Sequence, residues 1–352
     1  MTAADHLYAA VARWRRGASP APRRLRRPVV SVGNLAVGGS GKTPTSAYLY
    51  RVLADAGERP AILSRGYART DAPAGVTVVA DGRRLRADLG RAGDEPLLLA
   101  RGLPGARVLV CEDRYLAGLV AERHLDATVH VLDDGFQHFR LGRDVDLLIV
   151  DVADVNRPRT LPGGRLREPL SAAASADALL VTGAESVEVA EAVAARLGVP
   201  TGFMLLREVE PPVEETLAGP RPLDPGGRVL VVSGIARPER FVDESREAGL
   251  EVVATLTFRD HHPYTPADIE RMARAAADAK ADLVLTTEKD CVRLLPLRPW
   301  PFRLAVRPMT VRVEPAEAFA TWLLARVRER ASGGAQADGV GAGLQSHPPV
   351  IS

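Results

Sequence analysis

Cysteine is scarce in this chain. Its 352 residues include two, Cys111 and Cys291, far apart and without metal-type neighbours, which excludes a disulfide framework or a cysteine zinc site and favours a reducing compartment such as the cytosol. No stretch approaches the roughly 18 apolar residues of a spanning helix. The first residues also lack the continuous apolar run and small-residue cleavage site of a signal peptide. Net charge is only +2, so nothing global demands nucleic acid. There is no repeat of solenoid period and no N-K-x-D guanine-reading motif. What is present, 46% hydrophobic and 26% charged residues, suits a soluble globular protein long enough for two domains with full-sized cores.

The positive charge is concentrated at the front. Residues 1–28 hold Arg13, Arg15, Arg16, Arg23, Arg24, Arg26 and Arg27 against Asp5, with Leu7, Tyr8, Val11 and Trp14 at helical spacing. Such a basic amphipathic arm can lie on an anionic membrane surface, with Trp14 at headgroup depth. A solvated arm packing Leu7 and Val11 on the domain explains it equally well.

The stretch VVSVGNLAVGGSGKTPT, residues 29–45, organises the rest. An apolar strand enters a glycine-rich loop that ends in Gly-Lys-Thr and opens a helix with Tyr48, Leu49, Val52 and Leu53 in period. Amides around Gly38, Gly39, Ser40 and Gly41 can curl round phosphate oxygens, and the helix start adds its positive dipole end. Lys42 supplies an ammonium and Thr43 a hydroxyl for Mg2+. Ala36 stands where the strict P-loop pattern wants glycine, so the loop is a variant.

Further along, strands and charged turns alternate. Ser64-Arg65-Gly66-Tyr67 follows a short strand, where a doubly wound sheet places a ligand loop or simply a surface turn. Val76 to Leu85, with Asp81-Gly82, reads as a hairpin. Gly93-Asp94-Glu95-Pro96 precedes an apolar helix, and a dipole-complementing role accounts for both acids. The strand ending in Asp133-Asp134-Gly135 matches a place where Mg2+ is held directly or through water; His138, just beyond, reads as structural. The link Val152 to Pro169 has no regular period, and its Arg157, Arg165 and Arg167 can neutralise phosphate or remain solvated. A Pro-rich connection, Glu210 to Gly227, is read as the change of domain. Beyond it, Asp260-His261-His262 ends a strand and can serve acid–base chemistry, Asp282 to Asp290 runs into a charged turn with Lys289, and Phe302 to Val311 is a final strand. The helix Ala316 to Arg330 follows, and 331–352 is Gly-rich and expected to be a disordered tail.

Taken in order, VGNLAVGGSGKTP, SRGYAR, GDEPLLLA, LDDGFQH, LREP, FRDHHPYT and TTEKD resemble the tetraacyldisaccharide 4'-kinase family of lipid A biosynthesis, over roughly Val29 to Arg330. Ala68 and Gly164-Arg165 are small departures from its pattern. The resemblance implies an α/β fold: a P-loop NTPase-like Rossmann-type domain, 29–220, with a second, smaller lid-like α/β domain, 221–330, whose last helix can return to the first. It implies ATP and Mg2+ as cofactors. The reaction is transfer of the γ-phosphate to the 4'-hydroxyl of a tetraacylated glucosamine disaccharide 1-phosphate, giving lipid IVA. The family works as a peripheral protein on the cytoplasmic face of the bacterial inner membrane, and no nucleic-acid or protein partner is inferred. By residue, the resemblance implies Lys42 and Thr43 on phosphates and Mg2+, and Glu95, Asp133 and Asp134 managing the metal. Asp94 is the base, paired with His261 or, as an alternative, His262, and Arg167 stabilises the transferring phosphate.

Phosphoryl transfer asks a protein chiefly to position reactants and offset charge, and these residue types suffice for that. A membrane-recruited P-loop ATPase switch would share the P-loop and the basic arm, but has no need of the histidines and arginines collected on loops. A soluble P-loop kinase or ligase for a small metabolite is a third reading. Dependence of turnover on an amphiphilic acceptor separates them.

Overall fold

The computed structural model describes residues 21–39, 41–67, 69–216, 219–223 and 227–335. It divides into two compact units. Residues up to Arg207 and those from Val311 onward form the first, and Glu208–Thr310 the second.

In chain order the first unit contains β1 (Val29–Asn34), α1 (Lys42–Asp55), β2 (Pro60–Ser64), β3 (Thr77–Asp81), α2 (Leu89–Ala92), α3 (Asp94–Gly102), β4 (Arg107–Val110), α4 (Arg114–His124), β5 (Val129–Asp133), β6 (Val145–Asp151), α5 (Val152–Asn156), β7 (Ala178–Thr182), α6 (Val187–Arg196) and β8 (Gly202–Val209). The chain returns to it along β15 (Met309–Glu314) and α10 (Ala316–Ala335). The sheet runs β15-β8-β7-β6-β1-β5-β2-β4-β3. Every residue of β1, β2 and β5 is buried, as befits parallel strands covered on both faces, whose sequences read as apolar runs. β1 lies between β5 and β6 and pairs parallel with both. The chain winds outward from β1 to one side and later to the other, so the carboxyl end of β1 is a topological switch point, where open α/β sheets bind ligands.

The second unit holds β9 (Val213–Thr216), β10 (Gly219–Pro222), β11 (Arg228–Ser233), α7 (Pro238–Glu247), β12 (Glu251–Thr257), α8 (Pro266–Asp278), β13 (Leu283–Thr287), α9 (Glu288–Leu294) and β14 (Leu304–Arg307). Its sheet order is β10-β9-β14-β13-β11-β12. The pairs among β12, β11, β13 and β14 are parallel, and β9 and β10 extend the sheet antiparallel. Leu230, Val232, Met272, Val284 and Leu304 form one core cluster.

Several expectations are corrected. The units part near 207 rather than 220, because β8 keeps its first four residues buried in the first sheet. The Pro-rich connection forms β9 and β10, with Pro220 and Pro222 on an edge strand, where proline is tolerated. Glu214 there accepts hydrogen bonds from Arg221 and Arg303, which hold its carboxyl near pKa 2. The hairpin around Asp81-Gly82 is present, with Ala80 bridged antiparallel to Leu85 and Arg86 N donating to Val79 O at 2.7 Å, and β3 also pairs antiparallel with the distant β4. The link after β6 begins with the short α5, capped by Asp151. Lys289 lies on α9, not in a turn, because Thr287 accepts from Asp290 N and starts a helix. Pro308 splits the last strand into β14 and β15, and α10 continues to Ala335.

The amphipathic arm is an expectation that lies mostly outside the described residues, as do Ser40 and the tail after 335. Its final part belongs to the first unit. Leu25 is buried, Arg23 pairs with Asp113 and sits 4.4 Å over the Tyr115 ring, and Arg24 reaches Asp144 at 3.1 Å.

Candidate active site

The site begins where β1 ends. Gly41 caps α1 with φ of 84°, a left-handed conformation that only glycine adopts freely, and Lys42 and Thr43 follow as the first helical residues. Lys42 Nζ donates to Asn34 Oδ1 at 3.1 Å and lies 3.5 Å from Asp134 Oδ1. Thr43 is buried. One turn later on α1, Ser46 Oγ donates to Asp133 Oδ1 at 2.8 Å.

The glycine-for-alanine departure at position 36 has a structural reason. Val37 N donates to Arg165 O at 2.8 Å and Arg167 N to Leu35 O at 2.6 Å, with Ala36 bridged to Leu166. The front of the loop is thus zipped to residues 165–167. Ala36 is not among the positive-φ residues, so no glycine is needed there. The same ladder carries Arg167 to within 3.7 Å of Asp134 and Arg165 to 3.5 Å of Asp154. Gln137 Nε2 ties the assembly together, donating to Asn34 O and Glu168 Oε1 at 3.0 Å each.

Two other motifs meet beside it. Gly93, with φ of 82°, lies so close to the SRGY turn that an added Cβ would stand 2.7 Å from Tyr67 O. Thr70 N and Asp71 N both donate to Gly90 O. Asp94 opens α3, buried, with Oδ1 accepting from Glu95 N at 2.9 Å.

The electrostatics of this region are those of crowded acids. Burial, then the charge of Glu95, and further that of Asp134, push the Asp133 carboxyl up to about 7 against the opposing Ser46 bond and Lys42. Asp134 is held with φ of 51°, a conformation Asp tolerates better than most residues. Among the described residues no three His, Cys, Asp or Glu side chains form a ready-made metal cage. Mg2+ usually takes one or two carboxylates and completes its shell with water and substrate phosphates. Hard oxygens on Asp133, Asp134, Glu95 and Thr43 fit such an ion.

The structure therefore gathers Gly38, Gly39, Gly41, Lys42, Thr43, Asp133, Asp134 and Arg167 at the carboxyl ends of β1 and β5, with Glu95 within electrostatic reach of Asp133. His261 belongs to the second unit, in the turn after β12. There His262 is committed elsewhere: its Nε2 lies 3.0 Å from Asp268 and its ring stacks on Phe258. His138 is neutral at pH 7, since burial and the Arg114 charge lower it to about 4.

Sequence reasoning passed over Asn34, Ser46, Gln137, Glu168 and Arg114. Arg114 is buried at the start of α4, within reach of the charges on Asp133 and Asp134, and its Nε has no hydrogen-bond partner. A cation at a helix N-terminus opposes the dipole, and that anomaly was a usable signal. The others act through pairings that no local spacing reveals.

A family model described as tetraacyldisaccharide-1-P 4'-kinase matches residues 1–328. The chain belongs to this family. It is 43% identical over 302 residues to the tetraacyldisaccharide 4'-kinase of Geobacter sulfurreducens, covering 82% of each chain. To that of Syntrophus aciditrophicus it is 37% identical over 328 residues, covering 87% of this chain and 86% of the relative. Its fold is similar to a crystal structure of LpxK from Aquifex aeolicus in complex with ATP, with a TM-score of 0.73 and 30% identity, over 92% of this chain and 97% of that one. The fold is thus that of the family, a P-loop α/β domain with a second, smaller α/β unit. No helix among the described residues is long and apolar enough to cross a membrane.

Proposed function

We propose that this chain transfers the γ-phosphate of ATP to the 4'-hydroxyl of a tetraacylated glucosamine disaccharide 1-phosphate, the lipid IVA-forming step of lipid A biosynthesis. The observation that carries the mechanism is the convergence of Lys42, Asp133, Asp134 and Arg167 at one switch point, within a chain of this family. The loop amides of Gly38, Gly39 and Gly41 and the ammonium of Lys42 hold the ATP phosphates. Arg167, on the ladder that fixes the loop, meets charge that spreads over the transferring group. Thr43, Asp133, Asp134 and Glu95 would hold Mg2+, which would supply positive charge to offset that of the ATP phosphates.

Asp94 takes the proton of the sugar hydroxyl as its oxygen attacks the γ-phosphorus and the bond to the bridging oxygen of ADP breaks. Its burial at the head of α3 keeps the carboxylate in place. Of the two histidines it is His261 that takes part in the reaction, because the Nε2 atom of His262 already faces Asp268. The acceptor stays in a lipid surface. Arg13, Arg15 and Arg16 suit contact with anionic headgroups at the cytoplasmic face of the inner membrane.

The test is transfer of label from γ-labelled ATP to the tetraacylated disaccharide 1-phosphate in mixed micelles. Lys42→Ala and Asp94→Asn are each expected to lower kcat by about 10²–10⁴. Steady ATP hydrolysis without labelled lipid overturns the proposal.

A further inference from the structure

One buried carboxylate organises the histidine turn of the second unit. Asp290, fully buried, accepts on Oδ2 from Gly234 N at 3.0 Å and Thr287 Oγ1 at 2.7 Å. On Oδ1 it accepts from the Tyr264 hydroxyl and Arg293 Nη1, each at 3.0 Å. A carboxylate so surrounded is satisfied on both oxygens and has no capacity left for substrate. Its function is to hold its neighbours.

The neighbour of consequence is Arg293. Its side chain is only 6% exposed, and Nη1 also donates to Gly234 O at 3.0 Å. Both contacts of Nη1 orient the guanidinium plane. Nη2 then lies 3.3 Å from Nδ1 of His261. A guanidinium can only donate, so Nδ1 is an acceptor and the ring proton sits on Nε2. Asp260 Oδ1, 3.9 Å from Nε2, favours a proton at the same atom.

The backbone is held by the same hub. His261 N donates to Gly234 O at 3.2 Å, and the residue has φ of 56°. A side-chain-bearing residue keeps that conformation where its surroundings over-determine it, and such positions cluster at functional sites. Thus Gly234 holds the backbone of His261, and Asp290 holds Arg293, whose Nη2 faces the ring.

We propose that Asp290 and Arg293 are positioning residues for phosphoryl transfer, which hold His261 as the neutral Nε2–H tautomer. The proposal rests on the reading of His261 as a participant. Its chemical consequence is a division of labour. An Nε2–H imidazole can donate a hydrogen bond to a carboxylate but takes no proton at that atom, which leaves the base's duty to Asp94. The same logic operates where a carboxylate fixes the tautomer of a catalytic histidine.

The test uses the full-length protein labelled with ¹⁵N-histidine. Long-range ¹H–¹⁵N correlation spectra at pH 8 report which ring nitrogen carries the proton, with the His261 signals assigned from His261→Gln. Wild type is expected to show protonated Nε2 and bare Nδ1. Arg293→Lys keeps a cation for Asp290 but has one nitrogen in place of the fork. It should raise the Nδ1–H population and lower kcat about ten- to a hundredfold, the usual range when a supporting hydrogen bond is lost, with KM for ATP unchanged. In the His261→Gln background the same substitution should lower kcat no further.

If Arg293→Lys does not fold, the neutral pair Asp290→Asn with Arg293→Met carries the same measurements. A wild-type proton on Nδ1, or an unaltered tautomer ratio in the variants, overturns the proposal. A shifted tautomer together with full kcat in His261→Gln upholds the bond to Arg293 and overturns instead the participation of His261.

Discussion

The acids at the end of β5 and the acid on α9 are treated in opposite ways. Asp133 and Asp134 crowd each other beside Glu95, and Asp133 is pushed to about 7 by its burial and that crowding. Among the described residues Asp134 has two long ion pairs, at 3.5 Å with Lys42 and 3.7 Å with Arg167. Asp290 is buried as deeply as Asp133, yet every contact on it is a donor at 3.0 Å or less. The first arrangement leaves negative charge crowded and poorly matched; the second matches each carboxylate oxygen with donors.

Removing each acid should expose that difference. Asp290→Ala leaves Arg293 as an uncompensated buried charge and should destabilise the protein by about 3–5 kcal/mol, read from the urea midpoint. Asp134→Asn keeps a side chain suited to positive φ and gives up two long ion pairs, worth about 0–1 kcal/mol, so its midpoint should barely move while phosphate transfer collapses. Equal loss of stability in the two variants would erase the comparison.

A pH series sharpens it further. The Asp133 carboxyl is raised from 3.8 to about 7 in the folded protein, so folding favours its protonated form. The stability this group contributes is complete below its unfolded value and is lost as pH rises through about 7. Glu95→Gln removes the largest neighbouring charge acting on it. The ligand-free variant should therefore lose less stability than wild type between pH 5 and 8. Identical pH slopes would show that Glu95 does not govern Asp133.

The smallest effect belongs to the helix that anchors His262. Thr265 and Asp268 form a capping box at the start of α8, and Asp268 also meets His262 Nε2. Thr265→Ala should cost about 1 kcal/mol without altering KM for ATP. A changed KM would mean that this capped corner acts on the nucleotide, contrary to its saturated, structural character.

Much of this was legible before any coordinates. The P-loop, the Asp133-Asp134 turn and the alternation of strands and helices rest on residues within a few positions of each other, where periodicity and turn chemistry act directly. Position 36 was not legible, because alanine there is explained by a ladder to residues 165–167. Nor was the Pro-rich stretch, whose strands depend on Glu214 meeting Arg221 and Arg303. Asp290 looked like one more charge in a charged turn, and its burial follows from Tyr264 and Gly234 arriving from other elements.

The sequence by itself determined the chemical inventory: a lysine and threonine on a glycine loop, paired aspartates after an apolar strand, arginines in an irregular link and histidines after another strand. Those properties belong to short segments, and local sterics and hydrophobic periodicity are enough to specify them. Tertiary structure alone decided which acids were left in excess, which one was saturated, and which histidine Arg293 addresses. Such decisions depend on desolvation and on partners tens of residues away, which only the folded chain brings within hydrogen-bonding distance.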